Sequence, residues 1–242
     1  MSVASPYPVR VEGRLDPNLS RWLWLVKWIL AIPHYVVLFF LLLAFLVVTV
    51  IAFFAILFTE RYPRALFDFN VGVLRWAWRV GFYTFDANGT DRYPPFTLAR
   101  TDYPADFDVE YPERLSRVLV LVQWWLLALP HYFVIGFFNG ADLGFGASTD
   151  IGNFNYGAGL IFLFVLYASV ALLVTNRYPG GLFDLVVGLN RWTLRVIAYG
   201  ALLTQDYPPF RFDGGPTEPP APATAAATPR DDPGAAGALA TG

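Results

Sequence analysis

The chain has 242 residues, of which 56% are hydrophobic and only 15% charged, with a mean hydropathy of +0.45. Soluble domains carry about a quarter charged residues, so this composition excludes an ordinary water-soluble globule. A net charge of −2 excludes the bulk basic footprint of a nucleic-acid binder. With no cysteine there is no disulfide framework, thiolate metal site, iron–sulfur cluster or cysteine nucleophile.

Residues 1–7 read as a flexible N-terminus, and the alternation over Pro8–Gly13 predicts a short strand. Trp22–Phe58 follows as an apolar stretch of 37 residues, broken only by Lys27, Pro33 and His34. One crossing takes about 20 residues, so the run is too long for one span and nearly right for two. It begins too late and runs too long for a cleavable signal peptide. A helix is predicted over 66–85, then a second strand at Phe107–Tyr111. Val118–Phe138 and Tyr156–Val174 are two further apolar blocks around a polar, Gly-rich loop, Asn139–Asn155, and a last helix is predicted over 182–203. Short strands are also expected at Phe96–Leu98 and Phe210–Phe212. The Pro/Ala/Thr-rich residues 214–242 cannot bury enough surface to offset their ordering entropy and read as a disordered tail.

The sequence repeats itself. Leu19-Ser-Arg21 returns as Leu115-Ser-Arg117, and Pro33-His34-Tyr35 as Pro130-His131-Tyr132. Arg61-Tyr62-Pro63 with Leu66-Phe67-Asp68 returns as Arg177-Tyr178-Pro179 with Leu182-Phe183-Asp184. Gly72, Arg75-Trp76 and Arg79-Val80 return as Gly188, Arg191-Trp192 and Arg195-Val196, and each copy closes on Tyr-Pro-Pro-Phe, at 93–96 and 207–210. The division is a first unit at 8–100 and a second at 101–213. The extra loop of the second unit falls near residue 42 of the first, and insertions are tolerated at surface turns. On that ground the first unit is expected to reverse near Leu41–Phe45, so that each unit is a transmembrane helical hairpin. A long kinked helix is the competing reading, because Leu41–Phe45 holds no turn residue. All basic residues except Lys27 then lie on one side, with Asp142 and Asp150 at the far turns. The positive-inside rule places both termini in the cytoplasm.

In the third helix of each unit, Asp68, Gly72, Arg75 and Arg79 are spaced i, i+4, i+7, i+11, as are Asp184, Gly188, Arg191 and Arg195. They form one polar stripe opposite a face of Phe, Leu, Val and Trp. This suits an amphipathic helix in the cytoplasmic interface. The alternative is a third span, which puts two arginines at depth at about 2.5–3.5 kcal/mol each. Arginines at i, i+4 repel one another unless an anion lies between them. Either Asp68 and Asp184 neutralise the other unit's arginines across a pseudo-twofold axis, or a lipid phosphate does so. His34 and His131 each follow a proline that kinks a membrane helix. They are read as neutral histidines bonding a freed carbonyl, as a proton relay, or, more distantly, as haem ligands.

The combination of PHY, RYP with LFD, RW with RV, and YPPF resembles the bacterial membrane family called domain of unknown function 4389, in two tandem copies over about residues 8–212. The resemblance implies a small bacterial membrane protein and carries over no activity. The fold expected is all-α and integral to the inner membrane, with two pseudo-symmetric hairpins, two amphipathic interfacial helices and minor strands on the cytoplasmic side. No P-loop, GxGxxG loop, GxSxG elbow or HExxH helix is present. The function expected is non-enzymatic: binding of anionic headgroups through Arg75, Arg79, Arg191 and Arg195, or scaffolding of a membrane assembly as a homo-oligomer or with another membrane protein. No cofactor, metal or nucleic acid is called for. The alternative is a small transporter or channel, acting as an oligomer through His34 and His131.

Overall fold

A computed structural model describes residues 7–139, 159–210 and 213–217. Asp142, Asp150, most of the Asn139–Asn155 loop, nearly all of the N-terminal segment and most of the C-terminal tail lie outside the described residues, as do 211 and 212 of the expected Phe210–Phe212 strand. The chain is mostly helical. In order, it forms β1 (Val9–Gly13), α1 (Trp24–Leu30), α2 (Ile32–Thr59), α3 (Arg64–Tyr83), β2 (Ala105–Val109), α4 (Arg117–Val122), α5 (Leu129–Asn139), α6 (Leu160–Thr175) and α7 (Gly180–Gly200). Phe96–Leu98 is not a strand.

The first unit does not reverse at Leu41–Phe45. α2 is one unbroken helix of 28 residues, and the ladder continues across Ala31, whose N–H bonds Lys27 O at 2.9 Å while Tyr35 N–H bonds Ala31 O at 3.0 Å. Pro33 sits in the first turn of α2, and the ladder from α1 lacks the bond that an N–H at 33 would make to Ile29 O. The run of branched and aromatic residues without Gly, Asn or Asp gives the chain no means of turning, so the long kinked helix replaces the hairpin. α2 ends where Glu60 adopts a left-handed φ of 60°, and Asn176, with φ 55°, ends α6 in the same way.

Two insertions in the second unit explain how it departs from the first. Pro33 follows Leu19 by 14 positions, whereas Pro130 follows Leu115 by 15. The extra residue is absorbed by a π-helical segment, Gln123–Leu127, between α4 and α5, a usual accommodation of a one-residue insertion in a helix. The long loop enters the middle of a helix, not the tip of a hairpin. Counted from the histidine motifs, Asn139 corresponds to Leu42; counted from the RYP motifs, Leu160 corresponds to Ala44. α5 runs antiparallel to α7, with Tyr132 against Gly200 and Phe138 against Trp192, ring centroids 5.8 Å apart. α6 ends four residues before α7 begins and packs back along it. Both therefore run in one direction along α7, as α2 runs along α3.

α3 and α7 are core helices. From Asn70 to Tyr83 every residue but Ala77 is buried, and the second half of α7 is nearly as enclosed. α3 packs on α2 through the Tyr35 Oη to Thr84 Oγ1 bond at 3.0 Å and the Asn70 Nδ2 to Thr49 Oγ1 bond at 3.0 Å. Its other side lies under β2, so the polar stripe faces protein, which corrects the expectation that it is turned to the headgroups. β1 and β2 pair antiparallel, Val11 opposite Phe107.

Two segments, Ile32–Thr59 and Arg117–Gly136, are long and apolar enough to cross a membrane by length and composition. Only 17% of the most apolar window of the first is buried, which distinguishes it from the core helix of a soluble protein.

Candidate functional site

All four stripe arginines are engaged by the chain itself. Arg75 donates from Nε to Phe107 O at 2.8 Å, from Nη1 to Leu98 O at 3.0 Å and from Nη2 to Asp108 Oδ1 at 3.0 Å, with Asp106 Oδ1 3.2 Å from Nε. In the second unit, Arg191 donates from Nε to Val11 O at 3.1 Å, from Nη1 to Asp213 O and from Nη2 to Gly215 O at 2.9 Å. Phe107 and Val11 are register partners in the ribbon. The two arginines thus grip paired positions of opposite strands, each unit's arginine holding the strand of the other unit.

Arg79 and Arg195, one turn on, complete the clamps. Arg79 Nη1 donates to Ala99 O at 2.9 Å, and its Nη2 lies 3.6 Å from Asp106. Arg195 donates to Asp213 Oδ2 at 2.8 Å and sits over the Tyr7 ring at 5.3 Å. Burial lowers the proton affinity of Arg79, and the Asp106 carboxylate opposes that shift. The approach of the 97–99 segment needs Gly72, because a Cβ there would stand 2.8 Å from the Leu98 Cβ.

Asp68 and Asp184 are not the counter-charges. Asp68 pairs with Arg64 on the exposed side of its own helix at 3.2 Å, and Asp184 lies beside the Gly214 backbone. Asp68 stands two turns, about 10 Å along the axis, from Arg75, and the carboxylates that arrive instead are Asp106, Asp108 and Asp213. Three of the four proposed lipid contacts, Arg79, Arg191 and Arg195, have at most 1% of their surface exposed.

Each histidine sits in a closed aromatic stack. Trp76 Nε1 donates to His34 Nδ1 at 3.1 Å, and Trp192 Nε1 to His131 Nδ1 at 3.1 Å. The rings lie flat on Phe96 at 3.9 Å and on Phe210 at 4.1 Å, beside Tyr93 and Tyr207 at 4.9 Å. Accepting at Nδ1 leaves the proton on the buried Nε2, which faces the backbone carbonyl of Pro94 in one unit and of Pro208 in the other. Each histidine pins its YPPF turn to its own unit's long helix and core helix. The carbonyl beside each ring belongs to the YPPF turn, at Pro94 or Pro208, rather than to the residue freed by the kinking proline.

A pair of locks escaped the sequence comparison because the residue types differ. Buried Lys27 donates from Nζ to Asn88 Oδ1 and Thr90 O, both at 2.7 Å, and is 2.9 Å from Asp91. The matching Gln123 donates from Nε2 to Thr204 O at 2.6 Å and Tyr199 O at 2.7 Å. Asp91 accepts from Ser20 N–H, as Gln205 Oε1 does from Ser116 N–H. The lock is ionic in one unit and neutral in the other. Beside the ionic one, a cavity of about 240 Å³ opens between α1 and α6, lined by Trp24, Trp28, Phe85, Phe162 and Ser169. Asn88 Nδ2 donates to Ser169 Oγ at 2.9 Å across the boundary between units.

A family model described as "Domain of unknown function (DUF4389)" matches residues 21–97 and 154–211, two segments that together make up more than half of the chain and are consistent with two copies. No curated protein and no solved structure is significantly similar to the chain.

Proposed function

The chain belongs to the DUF4389 family, and from that premise we propose that it is a non-enzymatic scaffold of the bacterial plasma membrane, embedded through its apolar helices and presenting a rigid polar layer and both termini to the cytoplasm. One observation carries this reading: the large exposed apolar side chains are concentrated on α1, α2, α4, α5, α6 and the segment between α4 and α5, among them Phe40, Phe58, Trp125, Phe133 and Tyr167. The exposed charged residues lie on the ribbon, the loops and the helix ends, and the stripe arginines inside α3 and α7 are buried. Water-facing proteins do not leave so large a continuous apolar area uncovered.

Because the stripe arginines are buried and spent on partners within the chain, contact with anionic headgroups falls to the exposed arginines at the rim, Arg21, Arg61, Arg114 and Arg177. Cations flanking an apolar layer are drawn to an anionic leaflet, each by about 1 kcal/mol. A second copy or another membrane protein is the partner such a scaffold serves. The alternative of a transporter acting through His34 and His131 draws no support from their closed stacks. Replacing the four rim arginines by glutamine is expected to abolish the preference for vesicles containing anionic lipid over neutral ones in a co-flotation assay. A preference left intact refutes the headgroup assignment.

A further inference from the structure

The long apolar helices have both of their ends on the same polar layer. At the start of α1, Lys27 and Ser20 are bound to the Asn88–Asp91 segment. At the end of α2, Leu115 N–H bonds Glu60 O at 2.9 Å, Arg117 pairs with Glu60 at 3.0 Å, and Tyr111 Oη bonds Tyr62 O at 2.5 Å. These anchors stand about 50 Å apart along the helix at 1.5 Å per residue. They are joined by a single ribbon: one end of β1–β2 leads through Arg14–Ser20 to α1, and the other through Glu110–Ser116 to α4 and the end of α2.

Charge also lies across the middle. Leu38 of α2 packs in one cluster with Trp76 and Val80 of α3. On the far side of α3 at that level stand Arg75, Arg79 and their carboxylates Asp106 and Asp108, with Arg100 2.5 Å from Asp108 and 57% exposed. Were α2 upright in a bilayer, this partly hydrated ionic cluster would sit at mid-depth, with no water to solvate it. The large exposed apolar side chains, by contrast, are concentrated on α1, α2 and α4–α6, which back onto α3 and α7. A helix with its side chains is about 10–12 Å across, within the depth of one leaflet, half of a hydrocarbon core about 30 Å thick.

We propose that the protein is monotopic: α1–α2 and α4–α6 lie in the plane of the membrane within a single leaflet, α3 and α7 lie above them at headgroup level, and the clamped ribbon stands in water. The partner surface is the acyl region of that leaflet. This rests on the membrane scaffold reading above and specifies the geometry of its membrane contact.

The cysteine-free chain makes the test direct. Asn18→Cys and Glu113→Cys mark the two ends of the long helix, and Phe40→Cys its exposed middle. In sealed membrane vesicles of known orientation, an impermeant maleimide is expected to label positions 18 and 113 from the same face only, and position 40 from neither. Labelling of 18 and 113 from opposite faces, or of 40 from the far face, overturns the monotopic arrangement while leaving the membrane reading in place. Recovery of the unmodified protein in the soluble fraction after cell lysis without detergent overturns the membrane reading itself.

Discussion

Arg75 and Arg191 reach the outward carbonyls of register-paired residues on the two edges of the ribbon, and each also holds a carbonyl of its own unit, so either substitution orphans acceptors in both units. Arg75→Gln is expected to destabilise the protein by about 3 kcal/mol, the lower end for removing one member of a buried ion pair, since Asp106 and Asp108 keep some water. Asp68→Asn should cost less than about 1 kcal/mol, because its pair with Arg64 is exposed. Thermal unfolding in mild detergent compares the two. If the aspartate were the counter-charge of the stripe, the order would reverse. The lock invites a double-mutant cycle: Lys27→Gln alone leaves Asp91 uncompensated, whereas Lys27→Gln with Asp91→Gln reproduces the neutral arrangement of Gln123 and Gln205. The double variant is expected to recover about 1–3 kcal/mol relative to the sum of the singles; strict additivity would show that the two residues are not coupled. The stripe itself is legible from the i, i+4, i+7, i+11 spacing of Asp68, Gly72, Arg75 and Arg79 and of their counterparts, but its partners are not. They arrive from β2 and from the segment after α7, 18 to 33 positions away, and no local pattern marks which carboxylate folds back. The Lys27–Gln123 correspondence was hidden for a different reason, since one function is served by two chemistries.

At the scale of the elements, the helices α3 and α7 and both strands were legible to within two or three residues, because periodicity and the repeated motifs fix them. The hairpins were not. A loop inserted in one unit was taken for a turn in both, yet a helix interior also accepts an insertion when each half keeps its own packing against a neighbour. Excising residues 140–158 should therefore fuse α5 to α6 as one helix along α7, matching α2, with folding retained by circular dichroism and gel filtration. A protein that collapses on this excision would mean that α5 and α6 need the loop to reverse. The π-segment gives a finer check. Deleting Leu126 restores the spacing of the first unit and is expected to change stability by no more than about 2 kcal/mol. Deleting Val47 from α2 rotates everything beyond it by about 100° and should abolish folding, because it swings Ala52 and Ile56 out of the core.

For the whole molecule the account comes down to layering. Apolar helices form the outer layer, two core helices with their arginines the middle, and a five-residue ribbon the polar cap. Composition alone pointed to the apolar layer, two segments of which are long and apolar enough to cross a membrane; the length of the first run did not specify its path. A run near 40 residues reads as two crossings only if helices stand upright, and the direction of a helix relative to a bilayer depends on where its ends are anchored, which is set by Glu60, Arg117, Lys27 and Asp91. Laid flat, the same run needs no turn and no far-side charge. Polarised infrared dichroism of the protein in aligned bilayers tests this most directly, because α2 and α3 run antiparallel, as do α7 and the α5–α6 pair, so the helical amide signal reports their common tilt. The account predicts a mean helix axis close to the membrane plane. A mean axis within roughly 40° of the membrane normal, the range of spanning helices, would contradict it.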